Sequence, residues 1–548
     1  MEISKILLIN TPRVTLDVLN HSDKKVLRYI NVYPPLGLLY LSAVLKKYLS
    51  DVELEIFDLH FESLKKAQTN GHVCWDEMCD EKVKQFGPDL VGISTMFGAS
   101  YDAAKLIGAH IKSNNNIVLV AGGVHVTAMA TGNDNSLGFC DFVCMHESEF
   151  HFLELVNYLN GRTNKIHGVV PVNKQLLRNQ DDVLSELNVI EELDTLPYPD
   201  YDSIDISQYY KIGTLAASQT ISYDTPFATI LTARGCRAHC KFCSVRSFSG
   251  GSVRAHSPRR VLEEVDILYN KYGIRHIDIQ DDDLTFDKNR MIEIANGLIK
   301  RSYQLTWSDA NGIRLGTLDD ELLDKMAASG CTFVALGIES GDPDILKQMR
   351  KPLTLKILEK NGPLLGRHPE IYYRAGFMTG FPGETYEECQ RTFEIARKYP
   401  WDWCQFSICQ PLPNTELYND LLENKSGHTE KGTEFSTDYK YATPGGISDD
   451  EDRQLEIFNQ TYNYNLILNF KLNKNLVGRN VDRAVRDFER IINMVDNHAF
   501  AWNCLSIGYE KLGLDKKSVH AKQKTQEILN TSEFWINKFD ELGFEVLK

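Results

Sequence analysis

Three cysteines, Cys236, Cys240 and Cys243, stand on three-then-two spacing in the stretch RGCRAHCKFCSV. Thiolates this close together read as ligands of a metal centre. A closed structural zinc site takes four ligands, usually as two C-x2-C pairs. A [4Fe–4S] cluster held only by protein takes four cysteines. Three ligands leave one coordination position open, and an open position is where a reactant can bind. His239, inside the same loop, is the rival fourth ligand for zinc, so the residues alone leave both metals standing.

The elements around this loop must position it. From about 226 to 420 apolar runs alternate with helical stretches. FATILTA, IRHIDIQ, QLTWSDA, TFVALGIE, YYRAGFMTG and DWCQFSIC read as strands, and SPRRVLEEVDILYNKYG and LDDELLDKMAASG as helices. Six βα units make a partial barrel, and in parallel barrels the working residues sit at the carboxyl ends of the strands. Those ends carry Arg234 before the cysteine loop, Asp281 to Asp283, Asn311 with Arg314, Glu339 with Ser340, and Thr379 with Gly380.

The first 160 or so residues have a βαβ rhythm of their own, through KILLIN, VELEIFD, PDLVGIST and NIVLVAGG. This predicts a doubly wound parallel sheet, which binds ligands at the carboxyl ends of its strands. Ser94-Thr95 and Gly122-Gly123 mark two such ends, and glycine lets another backbone or a ligand come close. Taken alone, Gly122-Gly123 reads first as a tight turn. Residues 166–225 are rich in proline and aspartate and read as a linker. After about 421 come a polar loop starting at Glu423 and a charged helical tail. There Trp502, Leu505, Gly508 and Tyr509 are spaced loosely like one tetratricopeptide hairpin. The fold class is therefore α/β: an N-terminal doubly wound, Rossmann-like sheet (1–165), a linker (166–225), a partial (βα)6 TIM-like barrel (226–420), and a loop with an α-helical C-terminal domain (421–548).

Composition narrows the function classes. The chain of 548 residues is 43% hydrophobic and 25% charged, as in ordinary globular proteins. A net charge of -15 argues against a general nucleic-acid binder. MEISKILLINTPR lacks the plan of a signal peptide, and no apolar run approaches a membrane span. The twelve cysteines form no regular disulfide framework. Reduced thiols and a cytoplasmic location are the expectation.

With these residues in view, the stretch 226–420 resembles the radical S-adenosylmethionine (SAM) superfamily. Cys236-x3-Cys240-x2-Cys243 matches that family's cluster motif in spacing and placement. GIESG (337–341), GFMTGFPGET (376–385) and PLPNTELY (411–418) look like its landmarks. The N-terminal sheet resembles the cobalamin-binding domain that precedes the barrel in one large subgroup, with GISTMFGAS, AGGVHVTA and DFVCMHESE in that subgroup's order.

The resemblance implies three cofactors: a [4Fe–4S] cluster on Cys236, Cys240 and Cys243, SAM, and cobalamin. It implies that Glu339 meets the SAM ribose, that Asp281 and Asp282 meet its amino group, and that Asn311 and Arg314 meet its carboxylate. Ser340 and Gly380 lie beside these, with GFMTGFPGET near the adenine. Ser94, Thr95, Gly122, Gly123 and His125 would line the cobalamin tail pocket. The D-x-H-x-x-G signature of a histidine-ligated cobalt is missing. DLHFES (58–63) lacks the glycine and follows the second strand, and HESE (146–149) stands where relatives usually show GEGE. The implied activity is methylation of an unactivated carbon. The rivals are another radical reaction with the same cofactors (ring formation, rearrangement or cyclisation) and a non-enzymatic sensor. The implied partners are an unknown substrate (small molecule, lipid or peptide) and an electron donor such as flavodoxin or ferredoxin.

Overall fold

A computed structural model describes residues 2–545 apart from 70, 97, 115, 132–134, 185–188 and 424–450. The chain divides into two compact units: residues 1–215, 223–286 and 411–437, and residues 216–222, 287–410 and 438–548. Most of the expected polar loop after Glu423 lies outside the described residues.

The first unit is built on a sheet of six strands, in the order Glu53–Asp58, Lys5–Asn10, Leu90–Ser94, Val118–Gly122, Phe142–Cys144, Val169–Pro171. The central strands are runs of Leu, Ile and Val with almost no exposure, as strands covered on both faces require. The first five strands run parallel. The sixth is antiparallel to Phe142–Cys144, so the sheet is mixed at this edge. Strand order reverses between Lys5–Asn10 and Leu90–Ser94, the switch point where such sheets open a crevice. There the Thr11 hydroxyl donates to Ser94 O at 2.6 Å.

Residues read as a linker are built into this unit. Ile166–His167 pairs with Val183–Leu184, and Tyr209 of the helix Ile206–Ile212 donates its hydroxyl to Asp58 at 2.8 Å. The same unit holds two strands of the expected barrel, Phe227–Ile230 and His276–Ile279, paired in parallel, and the whole cysteine loop. The helix Pro258–Lys271 starts on Ser257, which accepts from Arg260 N, with proline in its first turn.

The second unit holds the other four expected strands, Thr306–Ile313, Cys331–Glu339, Tyr372–Thr379 and Trp403–Ile408, all parallel. All six barrel strands therefore fall on the runs read from sequence. The helix Tyr386–Lys398 is fixed by a capping box between Thr385 and Glu388.

The tail covers the edge strand Trp403–Ile408. Asn465 accepts from Phe406 N at 2.9 Å and donates to Phe406 O at 2.9 Å. Asn469 does the same for Cys404, at 2.8 and 2.6 Å. Two strand residues advance about 6.6 Å and four helical residues about 6 Å, so asparagines four apart match alternate residues of a strand. Their amides stand in for a neighbouring strand and satisfy an edge that would otherwise recruit one. Beyond them the helices Val481–Met494, Ala499–Lys511, Asp515–Thr531 and Glu533–Leu542 share an aromatic core of Phe470, Phe488, Phe500, Trp535 and Phe539. A Cβ at Gly508 would stand 2.5 Å from Val485, so this glycine sets how closely two of the helices pack. Asn469→Leu leaves the buried N–H and C=O of Cys404 without partners. Its expected cost is roughly 2–4 kcal/mol, read as a lower denaturant midpoint; a wild-type midpoint would refute the role given to this amide.

Among the described residues no helix is long and apolar enough to cross a membrane.

Candidate functional site

The cysteine loop springs from a two-residue ribbon in which Arg234 pairs with Arg254. Two like charges face each other across this stem, an unfavourable cross-strand pair unless something neutralises it. Glu147 does so. Its carboxylate takes Arg254 through two bonds of 2.5 and 2.7 Å, and Arg234 at 3.3 Å. Glu149 takes the other side of Arg234 at 2.6 Å. All four side chains are buried. Burial alone would lower the pKa of Arg234, but Glu149 and Glu147 more than offset it and raise it. Burial likewise opposes ionisation of Glu147, and the two arginines overcome it and lower its pKa. Both carboxylates come from HESE, at the end of the strand Phe142–Cys144. His146 of that segment has a φ of 54°, a left-handed backbone that suits glycine better than histidine. The residues that hold both ends of the cysteine loop thus come from the end of the N-terminal sheet.

Within the loop, Gly235 has a φ of 90°, and a Cβ there would stand 2.3 Å from Ser252 O. Only glycine can open the loop at this point. Cys236, Cys240 and Cys243 are half-buried and in no disulfide. Ala238 N donates to Cys236 Sγ at 3.4 Å, the kind of bond that tunes a cluster thiolate. Arg246 donates to His239 Nε2 at 3.0 Å, so this nitrogen, the rival zinc ligand, already has a partner. Among the described residues no three His, Cys, Asp or Glu side chains converge as they would on one metal ion. A cubane does not ask for such convergence, because each thiolate binds a different iron. Three thiols in one loop and in no disulfide, with a backbone N–H on one of them, are a donor set that fits a cluster.

The aspartates after His276–Ile279 brace the loop. Asp281 accepts from Thr232 N at 2.6 Å and from the Thr232 hydroxyl at 2.5 Å. Asp282 accepts from Gly235 N at 3.3 Å; burial, with Asp283 and Glu147 nearby, pushes its pKa up to about 6. Asp283 pairs with Arg237 at 3.0 Å. Asp281, read as a ligand of the SAM amino group, spends both carboxylate oxygens on the chain itself.

At the switch-point end of the N-terminal sheet, Ser94, Thr95, Gly122, Gly123 and His125 come together. Thr95 N donates to Gly122 O at 2.7 Å, and His125 N donates to Thr95 O at 3.3 Å. Gly123 has a φ of 112°, and a Cβ there would lie 2.5 Å from Thr95 O. At Gly122 the nearest atoms to a Cβ are Cys144 O and Ser148 Oγ, at 3.7 and 3.8 Å, so that position has room. Thr95 Oγ1 is buried without a hydrogen-bond partner, an orphan polar atom beside a bare backbone. This edge fits a cofactor tail. His60, in contrast, is buried, with Nδ1 accepting from Arg13 N at 3.4 Å and Nε2 facing Asn31 O at 3.2 Å. Burial lowers its pKa. Both ring nitrogens are engaged inside the fold, which agrees with the missing D-x-H-x-x-G.

In the second unit, Glu339 has a φ of 67° and follows a register shift between its strand and Tyr372–Thr379. Its Oε1 accepts from Lys351 Nζ at 3.0 Å. Ser340 bonds Thr392 at 3.0 Å and accepts from Asp342 N at 3.0 Å, which makes it part of the turn. Gly380 N donates to Glu384 at 2.6 Å, and burial pushes the Glu384 pKa up to about 7. Asn311 is exposed, its N–H donating to Asp309 at 3.1 Å. Arg314 caps the short turn Leu315–Thr317 through its carbonyl. Glu147, Glu149, Arg254, Lys351 and Glu384 were missed as site residues. For the first two, the signal was the HESE segment itself.

Comparisons with known proteins give the family and its two domains. The model of the Radical SAM superfamily matches residues 230–396, and that of the B12 binding domain residues 26–156. An uncharacterized methyltransferase of Pyrococcus horikoshii is 30% identical, the alignment covering 77% of this chain and 84% of that one. The cytidylyl-2-hydroxyethylphosphonate methyltransferase of Streptomyces wedmorensis is also 30% identical, over 71% of this chain and 78% of that one. Among solved structures, the cobalamin-dependent S-adenosylmethionine radical enzyme OxsB, with aqua-cobalamin and S-adenosylmethionine bound, superposes with a TM-score of 0.64 at 16% identity, covering 100% of this chain and 85% of that one. The radical S-adenosylmethionine methyltransferase TsrM from Kitasatospora setae, with cobalamin and a [4Fe-4S] cluster bound, gives 0.60 at 15% identity, covering 97% and 100%. At such identities the likeness concerns the fold.

Proposed function

We propose that this chain, which belongs to the B12-binding radical SAM family of enzymes, methylates an unactivated carbon of a small-molecule substrate. The observation that carries the reading is the clasp of Glu147 and Glu149 on Arg234 and Arg254. It ties the end of the N-terminal sheet to both ends of the three-cysteine loop within one compact unit. The names of the two relatives at 30% identity support the choice of methyl transfer.

In this reading Cys236, Cys240 and Cys243 hold three irons of the cluster, and the fourth iron is left for SAM. When bound, the reduced cluster with SAM supplies a 5′-deoxyadenosyl radical, and cobalamin supplies a methyl carrier. The chain's own residues bind and orient. Asp281, through Thr232, fixes the strand that leads into the cysteine loop, and Ala238 N–H steadies one thiolate. Glu339 offers a carboxylate to the ribose hydroxyls, a charge-assisted bond. Gly122 and Gly123 present bare backbone to the cobalamin tail. The electron comes from a flavodoxin or ferredoxin.

The test uses reconstituted, reduced, cobalamin-loaded protein and SAM. Methyl transfer consumes SAM in two ways, so both S-adenosylhomocysteine and 5′-deoxyadenosine should form. 5′-Deoxyadenosine alone, with no S-adenosylhomocysteine, would overturn methylation and leave another radical reaction.

The tail pocket has its own test. A Cβ at Gly122 meets only ordinary contacts, Cys144 O at 3.7 Å and Ser148 Oγ at 3.8 Å, so Gly122→Leu, with a wild-type melting midpoint as its folding control, adds bulk at this strand end. Hydroxocobalamin retained after desalting, read by absorbance, should fall to near background. Uptake equal to wild type would count against this pocket.

A further inference from the structure

We infer that Lys351 is a positioning residue for SAM, acting through Glu339 and through a gap that Gly337 leaves open. The inference rests on the reading that Glu339 faces the ribose. Three observations carry it. First, Glu339 sits at a φ of 67° beside a register shift. A bulge of this kind re-aims a side chain, and a non-glycine residue stays in this sparsely populated region only where its surroundings hold it. Second, Lys351 Nζ stands 3.0 Å from Glu339 Oε1, with the two side chains only 11% and 17% exposed. A pair so shielded is screened little by solvent or salt. The backbone pins the lysine as well. Lys351 N donates to Leu346 O at 2.9 Å, just past the helix Pro343–Gln348 and after Arg350 at a φ of 53°. Third, a Cβ at Gly337 would lie 2.9 Å from both Glu339 Oε1 and Lys351 Nζ. Any larger residue there pushes the pair aside.

The arrangement fixes one carboxylate oxygen on the ammonium and leaves Oε2 to accept from the ribose hydroxyls. Lys351 holds the acceptor and Gly337 clears its place. Because the atoms that meet a Cβ at Gly337 are the far ends of flexible side chains, Gly337→Ala should fold and disturb only this pair.

The experiment is anaerobic calorimetric titration of cluster-reconstituted protein with SAM and with its 2′,3′-dideoxyribose analogue. Lys351→Met and Gly337→Ala should each weaken SAM about ten-fold, and the double variant should be no weaker than either, since both act through Glu339. Lys351→Arg should recover part of the affinity. With the dideoxy analogue, wild type and Lys351→Met should bind alike. Unchanged SAM binding by Lys351→Met would overturn the inference alone. A ten-fold loss that persists with the dideoxy analogue would also overturn it, because Lys351 would then be acting on another part of SAM. Failure of wild type to bind SAM would sink the functional reading and the inference together.

Discussion

Replacing Cys236, Cys240 and Cys243 together by alanine is expected to drop iron and sulfide from about four of each per chain to background. SAM cleavage should vanish with them. The fold should survive, because the ends and first turn of the loop are held by groups other than the thiols. Its ends are held by Glu147, its entry by Asp281 on Thr232, and its first turn by the φ of 90° at Gly235. His239→Ala provides the contrast. A zinc site that used His239 would lose its metal, whereas a three-cysteine cluster would keep its iron. The structure favours the second outcome, since His239 Nε2 accepts from Arg246. A full cluster in the triple variant, or loss of all metal in His239→Ala, would overturn the assignment. Anaerobic iron and sulfide analysis reads both.

The elements that sequence made legible share one property: their signal is local. Each barrel strand is a short apolar run, and each was found within a few residues of its observed place. The cysteine spacing lies within eight residues. What escaped depends on distance along the chain. Glu147 meets Arg254 across 107 residues and Glu149 meets Arg234 across 85, and no periodicity encodes such a pairing. HESE was noticed only as a departure from GEGE. Its two glutamates, which remain from that pattern, are the residues that pair with Arg254 and Arg234, while His146 takes up a backbone that glycine would hold more easily. Lys351 is only 12 residues from Glu339, but the helix between them hides the contact from any pattern. The asparagine pair did leave a trace, at Asn465 and Asn469, four apart in a segment otherwise rich in apolar residues. Polar residues on that spacing, on the face of a helix that covers an edge strand, are a readable sign. The antiparallel strand Val169–Pro171 left little trace, because three residues next to a glycine carry almost no pattern.

The clasp makes the largest stability prediction. Glu147→Ala removes the one carboxylate that both arginines share and leaves Arg234 and Arg254 facing each other across the ribbon, buried and short of negative charge. Breaking a buried pair from one side typically costs about 3–5 kcal/mol, because the remaining charge keeps its desolvation penalty without its partner. Glu149→Ala should cost less, since Arg234 would still have Glu147 at 3.3 Å. Glu147→Gln should fall between the two: an amide oxygen can still accept from Arg254, but the charge is gone. The order wild type, Glu149→Ala, Glu147→Gln, Glu147→Ala should therefore appear in the denaturant midpoint of the protein before cluster loading. A readout at the loop separates the clasp from general stability. Under conditions where all four proteins are folded, cluster uptake should fall in the same order, because these carboxylates hold both ends of the cysteine loop. Equal midpoints for Glu147→Ala and wild type would mean that the arginines find other partners. Full cluster uptake by folded Glu147→Ala would mean that the loop needs no clasp, and the link between the N-terminal sheet and the cysteines would lose its function.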